Sequence, residues 1–214
     1  MTGPPPRLSR RMLAGAMAPA LAGCARLFVN PPPTYIFRLT PVSNFPPDLP
    51  HVHALLQVEA PTAPTALDRR RIALTRSAIS LDYFADAEWA DALSALTETV
   101  LENSFENSRA ITTINGSLGL RADFVLGTEI RHFEAQYGSE DRPPDAWVAI
   151  AAKLIATPPR TVVAQASFER NAPAARNHVT SIVRAFDQAL AAIATDIVVW
   201  TLANAALSRR RARL

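Results

Sequence analysis

The last third of the chain carries a stripe that dictates what the rest must provide. Val179, Val183, Phe186, Leu190, Ile193, Ile197 and Trp200 follow one another at steps of 4, 3, 4, 3, 4 and 3. That spacing puts all seven on one face of an amphipathic α-helix of about eight turns or fewer. So long an apolar stripe is not stable by itself in water and must lie across a second apolar surface. The seven positions, Trp200 included, read as core.

The surface is legible upstream. Three stretches, 123–137, 147–157 and 161–170, have strand character and are separated by Gly138 with Pro143-Pro144 and by Pro158-Pro159. In the second, Val148, Ile150, Ala152 and Leu154 alternate on one face. In the third, Val162, Ala164, Ala166 and Phe168 face in while Gln165, Ser167 and Glu169 face out. A period of two with short connections predicts an antiparallel meander. Shorter strands are predicted at 34–39, 55–59, 71–75, 79–83 and 111–114, the last closed by the turn pair Asn115-Gly116. A first helix is predicted with Asp86 as its N-cap, Glu88 in its first turn, and Trp89, Leu93, Leu96 and Val100 on its apolar face, ending at Asn103 to Asn107. The expected fold is α+β: a mostly antiparallel sheet with two helices packed on one face, the C-terminal helix long.

Composition closes off several classes of function. The chain has 214 residues, 49% hydrophobic and 19% charged, which suits one folded domain and excludes a wholly disordered chain. No uninterrupted apolar run reaches the roughly 18–20 residues of a bilayer-spanning segment. One cysteine excludes an internal disulfide framework and any multi-cysteine metal site. There is no G-x-S-x-G, H-E-x-x-H, P-loop or G-x-G-x-x-G. His51, His53, His132 and His178 are scattered, and His51-x-His53 lacks a third ligand, so surface histidines are the better reading. The acidic pairs Asp86/Glu88 and Glu140/Asp141 read as helix-start and loop charges. No catalytic, cofactor-binding or metal-binding residue is predicted, and the expectation is a protein that is not an enzyme.

The net charge of +3 belongs to the ends. All basic residues but Lys153 are arginines. Without residues 1–23, which hold Arg7, Arg10 and Arg11, the chain is neutral; without Arg209, Arg210, Arg211 and Arg213 as well it is at −4. No basic stripe interleaved with aromatics marks the body, so nucleic acid is not an expected partner. The 208–214 segment reads as an Arg-rich, solvated tail whose cations suit the end of a helix; contact with acidic lipid headgroups or a partner is the other reading.

The first residues read as a targeting segment. Arg7, Arg10 and Arg11 form a positive n-region, and Met12 to Leu21 is apolar and too short to span a bilayer. Leu21-Ala22-Gly23-Cys24 has the pattern of a bacterial lipobox. The chemistry it implies is a thioether bond from the Cys24 sulfur to diacylglycerol, cleavage between Gly23 and Cys24, then acylation of the new amino group with a chain such as palmitate. Three acyl chains suffice for stable anchoring. Ser9-Arg10-Arg11-Met12-Leu13 resembles a twin-arginine export motif, and an ordinary Sec signal with two adjacent arginines, Arg10 and Arg11, fits equally well. Ala25, rather than aspartate, follows the cysteine, which leans towards the periplasmic face of the outer membrane and leaves the inner membrane open. Nine of the 18 prolines lie between residues 31 and 64, and Pro31-Pro32-Pro33 reads as a stiff tether. The expected organisation is a signal peptide at 1–23, lipidated Cys24 and tether at 24–33, one domain at 34–207 and the tail at 208–214.

An ordered set of blocks then resembles a known family. They are the lipobox and Tyr35-Ile36-Phe37-Arg38-Leu39; Leu67-Asp68-Arg69-Arg70-Arg71-Ile72-Ala73; Ile79-Ser80-Leu81-Asp82-Tyr83-Phe84-Ala85-Asp86-Ala87-Glu88-Trp89-Ala90-Asp91-Ala92-Leu93; Ala122-Asp123-Phe124-Val125-Leu126 leading to Ile130 and Phe133-Glu134; and the long helix ending at Ile197 and Trp200. Together they are similar to the ABC-type transport auxiliary lipoproteins, of which the Pqi-type auxiliary lipoprotein of MCE lipid transport systems is one. The resemblance implies a non-enzymatic component anchored in the envelope of a Gram-negative bacterium. Its partners would be an MCE-domain protein, a permease and an ATPase that together move lipids between the membranes. It implies no cofactor beyond the diacylglycerol and N-acyl lipid on Cys24, and leaves a homo-oligomer open. The alternatives are a lipid-binding periplasmic lipoprotein, with an acyl chain between sheet and helices, and an assembly or pilot lipoprotein of another envelope complex.

Overall fold

A computed structural model describes residues 34–114, 119–138, 142–158 and 160–211, together with Gly3. The chain divides into two compact units, Met1–Pro33 and Thr34–Leu214, and every helix and strand named below belongs to the second. The signal, the lipobox residues Leu21, Ala22, Gly23 and Cys24, the export-motif residues Arg10 and Arg11, the tether, Asn115-Gly116, Glu140/Asp141 and Arg213 lie outside the described residues.

The elements in chain order are β1 (Tyr35–Phe37), β2 (Leu55–Val58), β3 (Arg71–Thr75), β4 (Asp82–Trp89), α1 (Leu93–Ser108), β5 (Thr112–Ile114), β6 (Phe124–Gln136), β7 (Asp145–Ala156), β8 (Thr161–Pro173) and α2 (Val179–Arg211). The 13-residue β6 is the spine. One of its edges pairs antiparallel with β7 over the full length of the strand, and β7 pairs antiparallel with β8. Its other edge is shared. β2 runs parallel to Phe124–Leu126, Thr62 makes a single parallel bridge to Glu129, and β3 runs parallel to Glu134–Gln136. β4 adds antiparallel to β3, β1 parallel to β4, and β5 parallel to β2.

The eight-stranded sheet is therefore mixed, not mostly antiparallel. Only β6, β7 and β8 form a meander. β2 and β3 return to the shared edge after long excursions, and in strands of four and five residues the alternation of side chains carries no information about direction. The antiparallel meander, the two helices and the long C-terminal helix stand as expected.

The expected first helix begins too early. Residues 82–89 are strand β4, in which Ala87 and Trp89 are buried, while Asp86 and Glu88 are neither N-cap nor first turn. Trp89 sits four residues before Leu93, so helical spacing and strand alternation both accommodate it. The start of α1 is capped from a distance instead: the Ser94 amide donates to Asp68 Oδ1 at 3.0 Å. A second difference lies in β8. Its register slips between Leu154↔Ala164 and Ile155↔Val162, so Val163 is an extra residue. The bulge leaves Val162 exposed rather than facing in, and Val163 packs against the core.

α2 runs for 33 residues, about nine turns. The stripe holds, and continues through Thr201, Leu202 and Ala205. By length and composition this helix is long and apolar enough to cross a membrane. Its apolar face is instead spent on β6, β7, β8 and α1. At the centre, Trp89 of β4 meets the ring edges of Phe133 (5.9 Å between centroids) and Phe186 (5.7 Å), and Phe133 and Phe186 stack at 4.9 Å. Three elements close on one aromatic cluster. Trp200 packs edge-on against Phe168 of β8 and is half-buried. Polar ties hold the rest: Arg170 of β8 pairs with Asp196 of α2, and the Thr40 amide donates to Asp187 Oδ1 at 2.6 Å.

Because Phe186 is fully buried and touches both other rings, Phe186→Ala is expected to cost about 3–5 kcal/mol. Urea denaturation checks it; a loss below about 1 kcal/mol would show that the cluster does not hold the layers together.

Candidate docking surface

The face of the sheet turned away from the helices owes its chemistry to one extra residue. Phe124, Leu126, Thr128 and Ile130 of β6 are buried on the helix side. After Ile130 the register against β7 slips, pairing Ile130 with Ile150 and His132 with Ala149, so Arg131 is a bulge. Side-chain parity shifts by one: Phe133 and Ala135 continue the core, and His132 and Glu134 fall on the open face.

There they meet residues of β7 and β8. The His132 ring lies on the Trp147 indole, with centroids 3.5 Å apart and planes 12° from parallel. His132 Nδ1 is 2.8 Å from Glu134 Oε1, and Glu134 Oε2 accepts the Phe133 amide at 2.6 Å. The Trp147 indole N–H donates to Glu169 Oε1 at 2.7 Å. Four side chains from three strands thus hold one another in place. Glu134 is only 7% exposed, a burial that a carboxylate tolerates when both oxygens are engaged.

A groove of about 510 Å³ runs beside this cluster, walled by His132, Glu134 and Trp147 on one side and by the β3–β4 loop on the other. The loop is tied internally: Thr75 Oγ1 lies 2.6 and 2.7 Å from the carbonyl oxygens of Ser77 and Ser80. At its tip Ile79 is 99% exposed. A branched apolar side chain thus stands in water on a braced loop next to a polar wall, which makes this groove the candidate contact point of the open face. Below the loop, Arg76 sits over the Tyr137 ring and the Tyr137 hydroxyl donates to Asn177 Oδ1 at 2.9 Å. Burial pushes the Tyr137 phenol up, with Arg76 acting in the opposite sense.

The structure does not bring the four histidines together. His51 and His53 are exposed in the loop before β2, and the His178 ring accepts the Thr180 amide at the start of α2. Among the described residues no group of three or more His, Cys, Asp or Glu is placed to hold a metal ion. Ser208 to Arg211, expected as a solvated tail, are the last turn of α2. Arg209 is engaged there: its guanidinium bonds Asp123 Oδ1 at 3.0 Å and the His53 carbonyl at 2.8 Å. The His132–Trp147 cluster was missed in the sequence. Its signal was the three-residue step between the core residues Ile130 and Phe133, which breaks strand alternation.

A second groove, about 440 Å³, is acidic, lined by Glu59 after β2 and by Glu98 and Glu102 of α1. The Glu102 carboxyl is raised above its ordinary value, first by burial and then by the charges of Glu98 and Glu106 one turn away on either side.

Comparison with known proteins places this architecture. Residues 37–198 match the family model of the ABC-type transport auxiliary lipoprotein component. An uncharacterized protein of Bradyrhizobium diazoefficiens is 31% identical over 170 residues, which are 79% of this chain and 44% of that protein; the chain thus spans less than half the length of this curated relative. The crystal structure of a Xanthomonas campestris protein of family DUF330 superposes with a TM-score of 0.78 at 27% identity, covering 83% of this chain and 99% of the other. A further crystal structure, of an uncharacterized protein, shares the fold with a TM-score of 0.62 at 15% identity, over 78% of this chain and 97% of that one.

A carboxyl raised in the folded state opposes folding where it is ionised. Glu102→Gln is therefore expected to raise the unfolding midpoint at pH 7. The gain should shrink as pH falls from the raised folded value towards the ordinary glutamate range and vanish below that range, where the parent side chain is protonated in both states. Thermal melts of parent and variant across pH 3–7 check the sign, and a variant less stable than its parent at pH 7 refutes it.

Proposed function

The chain belongs to the ABC-type transport auxiliary lipoprotein family, and from that premise we propose that it is the non-enzymatic, lipid-anchored periplasmic accessory component of an MCE-type ABC transport system that moves lipids between the envelope membranes. The observation that carries this reading is the extent of the match, which runs from the last residue of β1 deep into α2 and so takes in every strand from β2 to β8. The lipobox Leu21-Ala22-Gly23-Cys24 supports the anchor, through diacylglycerol and N-acyl chains on Cys24, and Ala25 supports the outer membrane as its place. In this reading the protein contributes a rigid surface, not a reaction. The groove under the β3–β4 loop receives an extended segment of the MCE-domain partner, Ile79 is the apolar anchor, and the permease and ATPase follow through that partner.

Gentle detergent purification of the lipidated protein from native membranes, followed by mass spectrometry, tests the proposal. An MCE-domain protein or its ATPase should come with it. Arrival alone, or with secretin or lipopolysaccharide-assembly components, overturns the transport reading. Ile79→Ser should lower recovery of the partner about ten-fold or more while shifting stability by no more than about 0.5 kcal/mol, since the side chain touches nothing it must keep. Cys24→Ala should leave the circular dichroism of the folded unit unchanged and let molar salt strip the protein from the membrane fraction; a variant that unfolds, or that stays bound in molar salt, would count against the anchor on Cys24.

A further inference from the structure

One end of the folded unit gathers arginines from three separate parts of the chain. Arg209, Arg210 and Arg211 close α2, Arg121 precedes β6, and Arg160 precedes β8. Hydrogen bonds hold these segments side by side. Arg209 bonds Asp123 and the His53 carbonyl, the Leu55 amide donates to Asp123 Oδ2 at 2.8 Å, and the Thr157 amide donates to the Asp123 carbonyl at 2.9 Å. Arg121 and Arg160 line one groove of about 360 Å³ together with Leu120.

Asp123, the carboxylate at the centre of this junction, is neutralised by Arg209. Arg121, Arg160, Arg210 and Arg211 are exposed, and none forms an ion pair among the described residues. A helix end favours cations near its last carbonyls, which accounts for arginines on α2. It does not account for Arg121 and Arg160, which come from other segments. Nor does it account for the exposed apolar side chains that stand close to them along the chain: Leu120 beside Arg121 in the same groove, Val162 two residues after Arg160, and Leu207 one turn before Arg211, each more than half exposed.

Guanidinium groups bind phosphodiesters through paired N–H donors, and aliphatic side chains between them enter the boundary of headgroup and acyl chain. A nucleic acid would ask for aromatic faces, and none lines the groove of Arg121 and Arg160. An acidic protein surface would leave the three aliphatic side chains without a use. We propose that this end of the folded unit binds the surface of an anionic phospholipid bilayer. The inference is independent of the transport reading, since it rests on residues far along β6 from the His132–Trp147 cluster.

The test uses the lipidated full chain carrying Ala203→Cys, labelled with an environment-sensitive dye. Ala203 is exposed on α2 one turn before Leu207, and equally treated parent protein serves as background for Cys24. The protein is reconstituted in phosphatidylcholine vesicles. Phosphatidylglycerol is then supplied either in the same vesicles or in vesicles added afterwards, so that contact within one membrane and between two are both read. The emission should shift to the blue with phosphatidylglycerol, and molar salt should reverse the shift. The variant Arg121→Glu/Arg160→Glu/Arg210→Glu/Arg211→Glu should lose at least about ten-fold in apparent affinity. If that variant does not fold, Arg210→Gln/Arg211→Gln, which keeps good helix formers, should lose part of the response. An equal shift with phosphatidylcholine alone, an undiminished response from the charge-reversed chain, or no response to phosphatidylglycerol each overturns the proposal. So does light scattering showing that these arginines drive self-association while vesicles have no effect.

Discussion

The shared edge of β6 is the constraint on which the rest of this structure depends. A buried backbone amide or carbonyl without a partner is costly, so an edge as long as this one calls for pairing along its length. Three short segments meet it in turn, with β2 at one end, Thr62 in the middle and β3 at the other. None is long enough to form a sheet alone, and each pairs with a strand that β7 holds on its far side. The mixed topology is the result. So is the position of the β3–β4 loop, since the β3 register, Thr75 against Gln136, delivers it to the end of β6 where His132, Glu134 and Trp147 lie.

The bulge at Arg131 turns this scaffold into one with two different faces. Without the extra residue, Phe133 would leave the aromatic cluster and His132 would enter the core, because strand side chains alternate strictly. With it, Trp89, Phe133 and Phe186 close the helix side, and the imidazole, the carboxylate and the indole assemble on the other. The core and the candidate docking surface are two consequences of one slip in register, and substitutions that remove the bulge must disturb both.

How much of the fold was legible in the sequence depends on how far apart its signals act. The stripe of α2 and the alternation in β7 are long and periodic and appear where the spacing put them, while β6 and β8 fill the predicted stretches but each breaks its alternation at a bulge. β4 was misread because Trp89 satisfies two periods at once, and the true cap of α1, Asp68, lies 26 residues away from the amide it meets. Which strand β2 and β3 pair with is set by the open edge of β6, a property of another segment, and their direction by how the chain returns to it. Apart from the broken alternation between Ile130 and Phe133, no local pattern marks the four residues of the candidate docking cluster; only register places His132 on Trp147 and Trp147 on Glu169. The arginine-rich end divides in the same way: the arginines that close α2 were plain in the sequence, whereas their junction with Asp123 and His53, and the nearness of Arg121 and Arg160 to each other, depend on the fold.

α2 poses the last physical question, since a helix of its length and hydropathy could enter a bilayer as readily as a protein core. Removing apolar surface from water contributes about the same per unit area in either place, so hydrophobicity does not decide. Three of the charged residues along the helix do. Asp187 accepts the Thr40 amide in the first third of α2, Asp196 pairs with Arg170 near its middle, and Arg209 bonds Asp123 at its end. Each of these charges would cost about 2.5–3.5 kcal/mol at the centre of a bilayer, whereas in the folded unit each has a partner. Two carboxylates set along the helix thus outweigh what little a membrane could add to a stripe already packed on the sheet. The same arrangement leaves the arginines after Leu207 at the helix end, where contact with a headgroup surface does not require the helix to leave its place.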